Sequence, residues 1–327
     1  MTNSPIKPLI GYKVRDWIPI GVSAALLFFY LDPLTYLTPV MSFILLVNFC
    51  IVGGLLWWAD SYEREPGRTI LWSILWGGFV AITITGLITP GESFLFLAAV
   101  VEEAAKLLGL LWVFKRGSIN SATDALVMGG FIGLGFTIFE DFTYSAGAQD
   151  AVEILIFRGI FSVFAHTFFS GIGAAIMYIL WRKLRGGGVI LGFIFSYFIH
   201  YLWNISLEFD LISLSPILYI IVYAFWPPVA LVITCILVRH KEVKHLRRSG
   251  DLAVEAGLVS REVLDQILNR AARRRNLIGV WSLSKRIAYK RGLFADARRI
   301  LELDHKSVET LPISPINSAE HEDDPWS

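Results

Sequence analysis

Long apolar runs separated by short polar loops dominate the first 238 residues of the chain. A transmembrane helix needs about 20 mostly apolar residues, and the pattern predicts about eight such spans. They lie at about 17–37, 39–58, 69–88, 93–114, 125–146, 158–181, 187–206 and 215–238. The pattern therefore predicts an all-α, polytopic membrane protein whose transmembrane domain occupies residues 1–238.

The spacing of apolar residues changes after residue 238 to that of surface helices. Helical periodicity recurs over residues 251–275 and 281–303, and 17 of the 29 Lys and Arg residues lie beyond Val238. We expect residues 239–313 to form a basic, cytoplasmic helical region near the anionic inner leaflet, which attracts such segments. Docking of a cytoplasmic partner on this region stays open. Residues 314–327 carry acidic side chains, and their composition is typical of a disordered tip.

Composition supports this class and excludes several functions. Hydrophobic residues make up 55% of the chain and charged residues 17%, which is typical of a membrane protein rather than of a soluble domain. The two cysteines, Cys50 and Cys235, lie in apolar runs and indicate neither a disulfide framework nor a cysteine metal site. The chain contains no nucleotide-binding loop and no nucleic-acid module, so we expect no nucleic-acid partner.

The distribution of basic residues among the loops predicts the orientation in the membrane. Basic side chains precede the first span and follow the second, fourth, sixth and eighth, whereas the alternate loops are mainly acidic, with Arg158 as the exception. Because cytoplasmic loops are enriched in Lys and Arg, both termini are predicted to be cytoplasmic. The expected location is a cytoplasmic membrane.

The fourth predicted span contains Glu102, Glu103 and Lys106 within an apolar run. A charge at the bilayer centre costs about 2.5–3.5 kcal/mol on insertion scales, so such residues usually face a polar interior. Lys106 follows the two glutamates at i,i+4 and i,i+3 and can neutralise either one. The glutamates lie about 100° apart around the helix, so we expect one to activate water and the other to pair with Lys106 or Asn204. A buried ion pair that only joins helices is the alternative.

Further polar residues interrupt the next three spans. Glu140 follows the glycine-rich segment 129–135, His166 lies in the sixth span, and His200 and Asn204 lie one turn apart in the seventh. From the helical rise, the paired glutamates lie about 14–15 Å below the outer end of their span, and Glu140 and the histidines about 9–12 Å below theirs. Alternating topology therefore predicts that they share one cavity in the outer half of the bilayer.

Peptide hydrolysis suits this set of side chains. A glutamate can serve as a general base towards water, and histidine and asparagine can donate hydrogen bonds to a developing oxyanion. The predicted catalytic residues are Glu102, Glu103, Lys106, Glu140, His166, His200 and Asn204. This hypothesis requires no cofactor. A zinc site stays open, with Glu103, Glu140, His166 and His200 as its candidate ligands, although the chain has no H-E-x-x-H motif.

Four motifs, taken in order, resemble the PrsW family of bacterial intramembrane proteases. They are Glu102-Glu-Ala-Ala-Lys106, Phe136-x-x-x-Glu140, His166 and His200-x-x-Trp203-Asn204, and the resemblance covers about residues 90–210. That family is related to the type II CAAX prenyl endopeptidases and the Abi proteins.

The resemblance implies an intramembrane endopeptidase with Glu102, Glu103 and His200 as the leading catalytic residues and Glu140, His166 and Asn204 lining the site. It also implies cleavage of a membrane-anchored, anti-sigma-factor-like protein on its extracytoplasmic side. The family has been described as both glutamate-dependent and metal-dependent, so the metal question stays open at this point. The long basic C-terminal region departs from the family pattern and leaves the shared substrate open.

Two other classes of function compete with a protease. A proton-coupled transporter would use the buried carboxylates as a relay, and it predicts repeated halves with broken helices. Residues 1–115 and 116–238 show no such pairing. A non-catalytic membrane scaffold would instead depend on its C-terminal region and tolerate loss of Glu103.

Overall fold

The computed structural model describes residues 13–31, 36–89, 95–117, 119–208, 215, 225–269, 272–273, 276 and 283–302. Within these ranges the chain forms helices and no strands, which confirms the all-α class. A short 3₁₀ turn, Val14–Trp17, precedes the first helix. The helices are α1 Ile18–Leu31, α2 Pro39–Ala59, α3 Gly67–Ile88, α4 Leu95–Lys115, α5 Ala122–Ser145, α6 Ala151–Leu184, α7 Gly186–Glu208, α8 Trp226–Glu255, α9 Arg261–Leu268 and α10 Leu283–Glu302.

Five of the described helices are long and apolar enough to cross a membrane. They are α2, α3, α5, the Ser162–Trp181 part of α6 and the Gly186–Ser206 part of α7. The predicted number of eight is not confirmed. Helix α4 has 21 residues but carries three charged side chains at its centre, and α1 has 14 residues. The last predicted span, 215–238, lies partly outside the described residues.

Helix α5 lies at the centre of the membrane unit, which comprises Met1–Asp60 and Glu65–Val238. It packs against α2, α3, α4 and α6, and α6 in turn packs against α7. A capping box begins α5: the Ser121 hydroxyl accepts from the Asp124 amide at 3.0 Å, and the Asp124 carboxylate accepts from the Ser121 amide at 2.9 Å. The capping box therefore fixes the first turn of the helix that carries Phe136 and Glu140.

A wider π turn, Trp76–Ala81, interrupts α3 where this helix crosses α5. The Trp76 indole N–H donates to the Ala105 carbonyl oxygen at 3.0 Å, next to Lys106 in sequence. A side chain at Gly77 would overlap the backbone of Ile132, so the two helices approach closely here. Single π turns are frequent beside functional sites, and this one anchors the glutamate helix.

The second compact unit comprises Ser61–Arg64 and Arg239–Ser327. The prediction of one helical segment over 251–275 is wrong: α8 ends at Glu255 and α9 begins at Arg261. Gly257 adopts a φ of +71°, a left-handed conformation that ends helices, and the Ser260 hydroxyl caps α9 by accepting from the Val263 amide. These two residues were the signal for the break. The core of this unit contains Leu246, Ala253, Leu264, Ile267, Leu293, Ala297 and Ile300.

The predicted acidic tip, 314–327, lies outside the described residues. The predicted cytoplasmic location of the basic region stays a prediction.

Candidate active site

Helix α4 presents Glu102, Glu103 and Lys106 to the protein interior. All three are buried, and Lys106 is only 2% exposed. The Lys106 Nζ atom lies 2.8 Å from Glu103 Oε1 and 3.7 Å from Glu102 Oε2. Lys106 therefore forms a direct hydrogen-bonded ion pair with Glu103 and only a longer charge contact with Glu102.

The carboxylate of Glu103 is surrounded by donors from three helices. Besides Lys106, it contacts His200 Nδ1 at 3.0 Å, the Ser170 hydroxyl at 3.4 Å and the Ser196 hydroxyl. A carboxylate can accept about four hydrogen bonds, so these four contacts leave Glu103 little capacity to accept a further one. The Glu103 carboxylate is thus a shared acceptor for side chains of α4, α6 and α7.

Glu102 stands in a different environment, although it is the adjacent residue. Its Oε2 atom is buried and has no hydrogen-bond partner among the described residues. The same atom lies 3.7 Å from His200 Nε2 and from Lys106 Nζ. Because an unsatisfied buried acceptor costs about 1–3 kcal/mol, this oxygen is a candidate for binding a ligand or for reacting.

The two nitrogen atoms of His166 on α6 have different partners. Nδ1 lies 3.1 Å from Lys106 Nζ, and Nε2 lies 3.2 Å from Glu140 Oε2. An ammonium group can only donate, so Nδ1 accepts from Lys106 and the imidazole proton resides on Nε2, directed at Glu140. The rings of His166 and His200 are 4.8 Å apart between centroids.

Close packing of backbones brings the two histidines together. A methyl group at Gly133 on α5 would collide with the His166 carbonyl oxygen, and one at Gly173 on α6 would lie 2.7 Å from Ser196 Cβ. Glycines at these contacts let α5, α6 and α7 approach at backbone distance, the small-residue packing of membrane helices.

Asn204 lies one turn beyond His200 on α7 and is half-buried. Within the described part of the chain, no hydrogen bond joins Asn204 to either of the paired glutamates. The structure thus brings together six of the predicted residues, Glu102, Glu103, Lys106, Glu140, His166 and His200, and leaves Asn204 beside them.

Arg158 is a part of the site that the sequence did not assign. Its Nη2 atom donates to Glu140 Oε2 at 2.6 Å, and its Nε atom donates to Asp141 Oδ1 at 2.6 Å. The guanidinium also lies 4.2 Å from the centroid of the Tyr144 ring. The available signal was that Arg158 is the one basic residue in the predicted outer loops. Ser170 and Ser196, four residues from His166 and His200, are the other unassigned residues.

Three side chains have the arrangement of a metal site. Glu102, His166 and His200 each offer one ligand atom, and these atoms lie within 4.8 Å of one another. Each imidazole also contacts a carboxylate: His200 Nδ1 lies 3.0 Å from Glu103 Oε1, and His166 Nε2 lies 3.2 Å from Glu140 Oε2. Metal-binding histidines are usually oriented by such carboxylates. The predicted ligand set that includes Glu103 and Glu140 stays a prediction.

A comparison with family models now identifies the chain. The model described as PrsW family intramembrane metalloprotease matches residues 65–232, which is about half of the chain and includes every residue of the site. The chain belongs to the PrsW family. It is therefore an intramembrane protease and an integral membrane protein, as its motifs predicted. No curated protein and no solved structure gives a match.

Membership of this family favours the protease over the transporter and scaffold alternatives. The relation to CAAX prenyl endopeptidases and Abi proteins stays a prediction.

Proposed function

We propose that this protein hydrolyses a peptide bond of a membrane-anchored protein, with Glu102, His166 and His200 as the reacting centre. The observation that carries the proposal is the buried, unpartnered Oε2 atom of Glu102, 3.7 Å from His200 Nε2. Glu102 on α4, His166 on α6 and His200 on α7 each offer one ligand atom, and these atoms lie within 4.8 Å of one another. A protein of this family needs such a centre to activate water.

The donor set fits a divalent metal such as Zn²⁺. One carboxylate oxygen and two imidazole nitrogens form a common ligand set of catalytic zinc sites. In such sites water occupies the fourth position. Glu102 Oε2 and His200 Nε2 are available directly, whereas His166 Nδ1 becomes available when Lys106 withdraws from it. A metal held there would lower the pKa of a bound water, so that the water could lose a proton and attack a peptide carbonyl near neutral pH.

Charge balance supports the same assignment. The site contains four carboxylates and two cations: the carboxylates are the buried Glu102, Glu103 and Asp141 and the half-buried Glu140, and the cations are Lys106 and Arg158. With all six groups ionised, the formal charge of this set is −2. A buried charge is costly unless it is compensated, and one divalent cation would neutralise the set.

The remaining side chains hold this centre in place. Glu103 accepts from His200 Nδ1 and thereby directs Nε2 towards Glu102. Glu140 accepts from His166 Nε2 and leaves Nδ1 facing Lys106. Lys106 balances the charge of Glu103, and the hydroxyls of Ser170 and Ser196 fix its carboxylate plane.

A metal-free mechanism is the second candidate, because the unpartnered oxygen of Glu102 also suits a general base. In that case Glu102 takes the proton of an attacking water, and Asn204 and an imidazolium form of His200, which carries a proton on Nε2 as well, donate to the oxyanion. By resemblance, the substrate is an anti-sigma-factor-like membrane protein cut near its extracytoplasmic side. The bacterial inner membrane and cytoplasmic termini belong to this proposal.

Metal content and cleavage, measured on the same purified protein, distinguish the two mechanisms. We expect about one zinc per chain in the wild type, little in Glu102→Gln or His200→Ala, and cleavage of a quenched transmembrane peptide that a strong chelator abolishes and zinc restores. The control is Glu153→Gln, the same substitution at an exposed residue of α6. Cleavage that resists the chelator in metal-free protein would instead assign Glu102 as the base.

A further inference from the structure

The ammonium group of Lys106 is enclosed by three partners of different kinds. It donates to Glu103 Oε1 at 2.8 Å and to His166 Nδ1 at 3.1 Å, and it lies 3.9 Å from the centroid of the Phe136 ring. An ammonium has three N–H donors, so two are used by the carboxylate and the imidazole. Besides these two partners, the buried ammonium has the Phe136 ring face and, at 3.7 Å, Glu102 Oε2 as neighbours.

Phe136 is well placed to hold this cation. It is 1% exposed and lies four residues before Glu140, on the same face of α5. Its ring centroid is 5.4 Å from that of His166. A cation within about 6 Å of a ring centroid is attracted by the negative face of the ring, most strongly when the pair is removed from water.

Without the ring, Lys106 could move away from this position. A lysine ammonium sits at the end of four flexible methylene groups, and each rotamer change would break its contacts with Glu103 and His166. Glu102 Oε2 lies 3.7 Å away as a competing acceptor. The ring face, 3.9 Å from Nζ, restrains the ammonium at Glu103 and keeps it from moving from 3.7 Å into direct hydrogen-bond distance of Glu102.

We propose that Phe136 is a positioning residue whose aromatic face holds the Lys106 ammonium against Glu103 and thereby leaves Glu102 for the reaction. This inference rests on the proposed function. Phe136, the first residue of the Phe136-x-x-x-Glu140 motif, then acts through a cation–π contact with Lys106 as well as through packing. If His166 Nδ1 no longer accepts from Lys106, the contacts with Glu103 and Phe136 still hold the ammonium in place.

Fluorinated phenylalanines at position 136 test the proposal, because fluorine weakens the negative face of the ring with little change in its shape. We expect kcat/KM for a transmembrane peptide to fall steadily from one to three ring fluorines, by about tenfold at the third. The unfolding midpoint in detergent should fall in the same order. Phe136→Leu should lose activity at least as strongly as the trifluoro ring, and Phe136→Tyr should retain most of it.

The matched control is the same series at Phe131, a buried ring of the apolar core on another face of α5. The proposal would be overturned if kcat/KM and the unfolding midpoint did not change with the number of fluorines at position 136. It would also be overturned if both fell equally in the series at position 131. The unfolding measurement requires no cleavage. If no variant and no wild type cleaves the peptide, the proposed function is in doubt, while the trend in unfolding midpoints still decides the role of Phe136.

Discussion

Glu102 and Glu103 are neighbours in sequence, yet the structure gives them opposite surroundings. Glu103 is held by Lys106, His200 and two hydroxyls, whereas one oxygen of Glu102 has no hydrogen-bond partner among the described residues. The sequence predicted that the two would differ, because adjacent helical residues point about 100° apart. It could not predict which one pairs with Lys106, since both the i,i+3 and i,i+4 positions are within reach.

Arg158 offers a test at the residue scale, because its guanidinium joins two carboxylates at once. Arg158→Lys should keep the charge but lose the fork that contacts both Glu140 and Asp141, and we expect kcat/KM to fall about tenfold. Arg158→Gln removes the cation that pairs with the buried Asp141 and the half-buried Glu140, and it should lower the free energy of unfolding by about 3 kcal/mol.

Peptide cleavage and denaturant unfolding in detergent would measure these effects. The control is Arg247→Lys, at an exposed position of α8, which should change neither quantity. Full activity in Arg158→Lys would contradict the prediction, because it would show that one positive charge near Glu140 is enough and that the guanidinium fork is not required.

At the scale of the elements, backbone contact between helices sets the geometry of the site. Glycines occur where α5 meets α6 and where α6 meets α7, at the levels of His166 and Ser196. The glycine-rich run 129–135 indicated close packing from the sequence alone. The sequence did not show which helix would occupy the space, nor that α3 would widen into a π turn beside Trp76.

The substitution Gly133→Ala tests this packing. A methyl group there meets the His166 carbonyl oxygen and must push α5 and α6 apart, so we expect a loss of about 1–3 kcal/mol in the free energy of unfolding. Displacement of His166 should also reduce kcat/KM by at least about tenfold, because small shifts of reacting groups are costly.

Gly54→Ala is the matched control, since a methyl group at that helical position meets no atom within 4 Å. It should leave activity unchanged and leave stability equal or slightly higher, because alanine is the better helix former. Equal stability of the Gly133 and Gly54 variants would contradict the packing argument.

At the scale of the whole molecule, apolar periodicity predicted the all-α membrane fold and the order of the motifs predicted the family. The number of spans was harder to predict, because the charges of α4 that build the site also lower its hydropathy as a membrane helix. The contact of Lys106 with His166 joins residues 60 positions apart and that of Arg158 with Glu140 joins residues 18 positions apart, and no local pattern encodes either contact. The break between α8 and α9 was readable from Gly257 and Ser260.

The central claim is that Glu102 performs the chemistry of an intramembrane protease, and its most direct test is a reconstitution. Wild type, Glu102→Gln and the exposed control Glu153→Gln would be placed in lipid vesicles with a single-span substrate carrying tags on both sides. We predict that the wild type and Glu153→Gln cut within the membrane segment and that Glu102→Gln loses at least about 10³-fold in rate, as expected for loss of an essential reacting group. Cleavage by Glu102→Gln at a rate near that of the wild type would contradict the account.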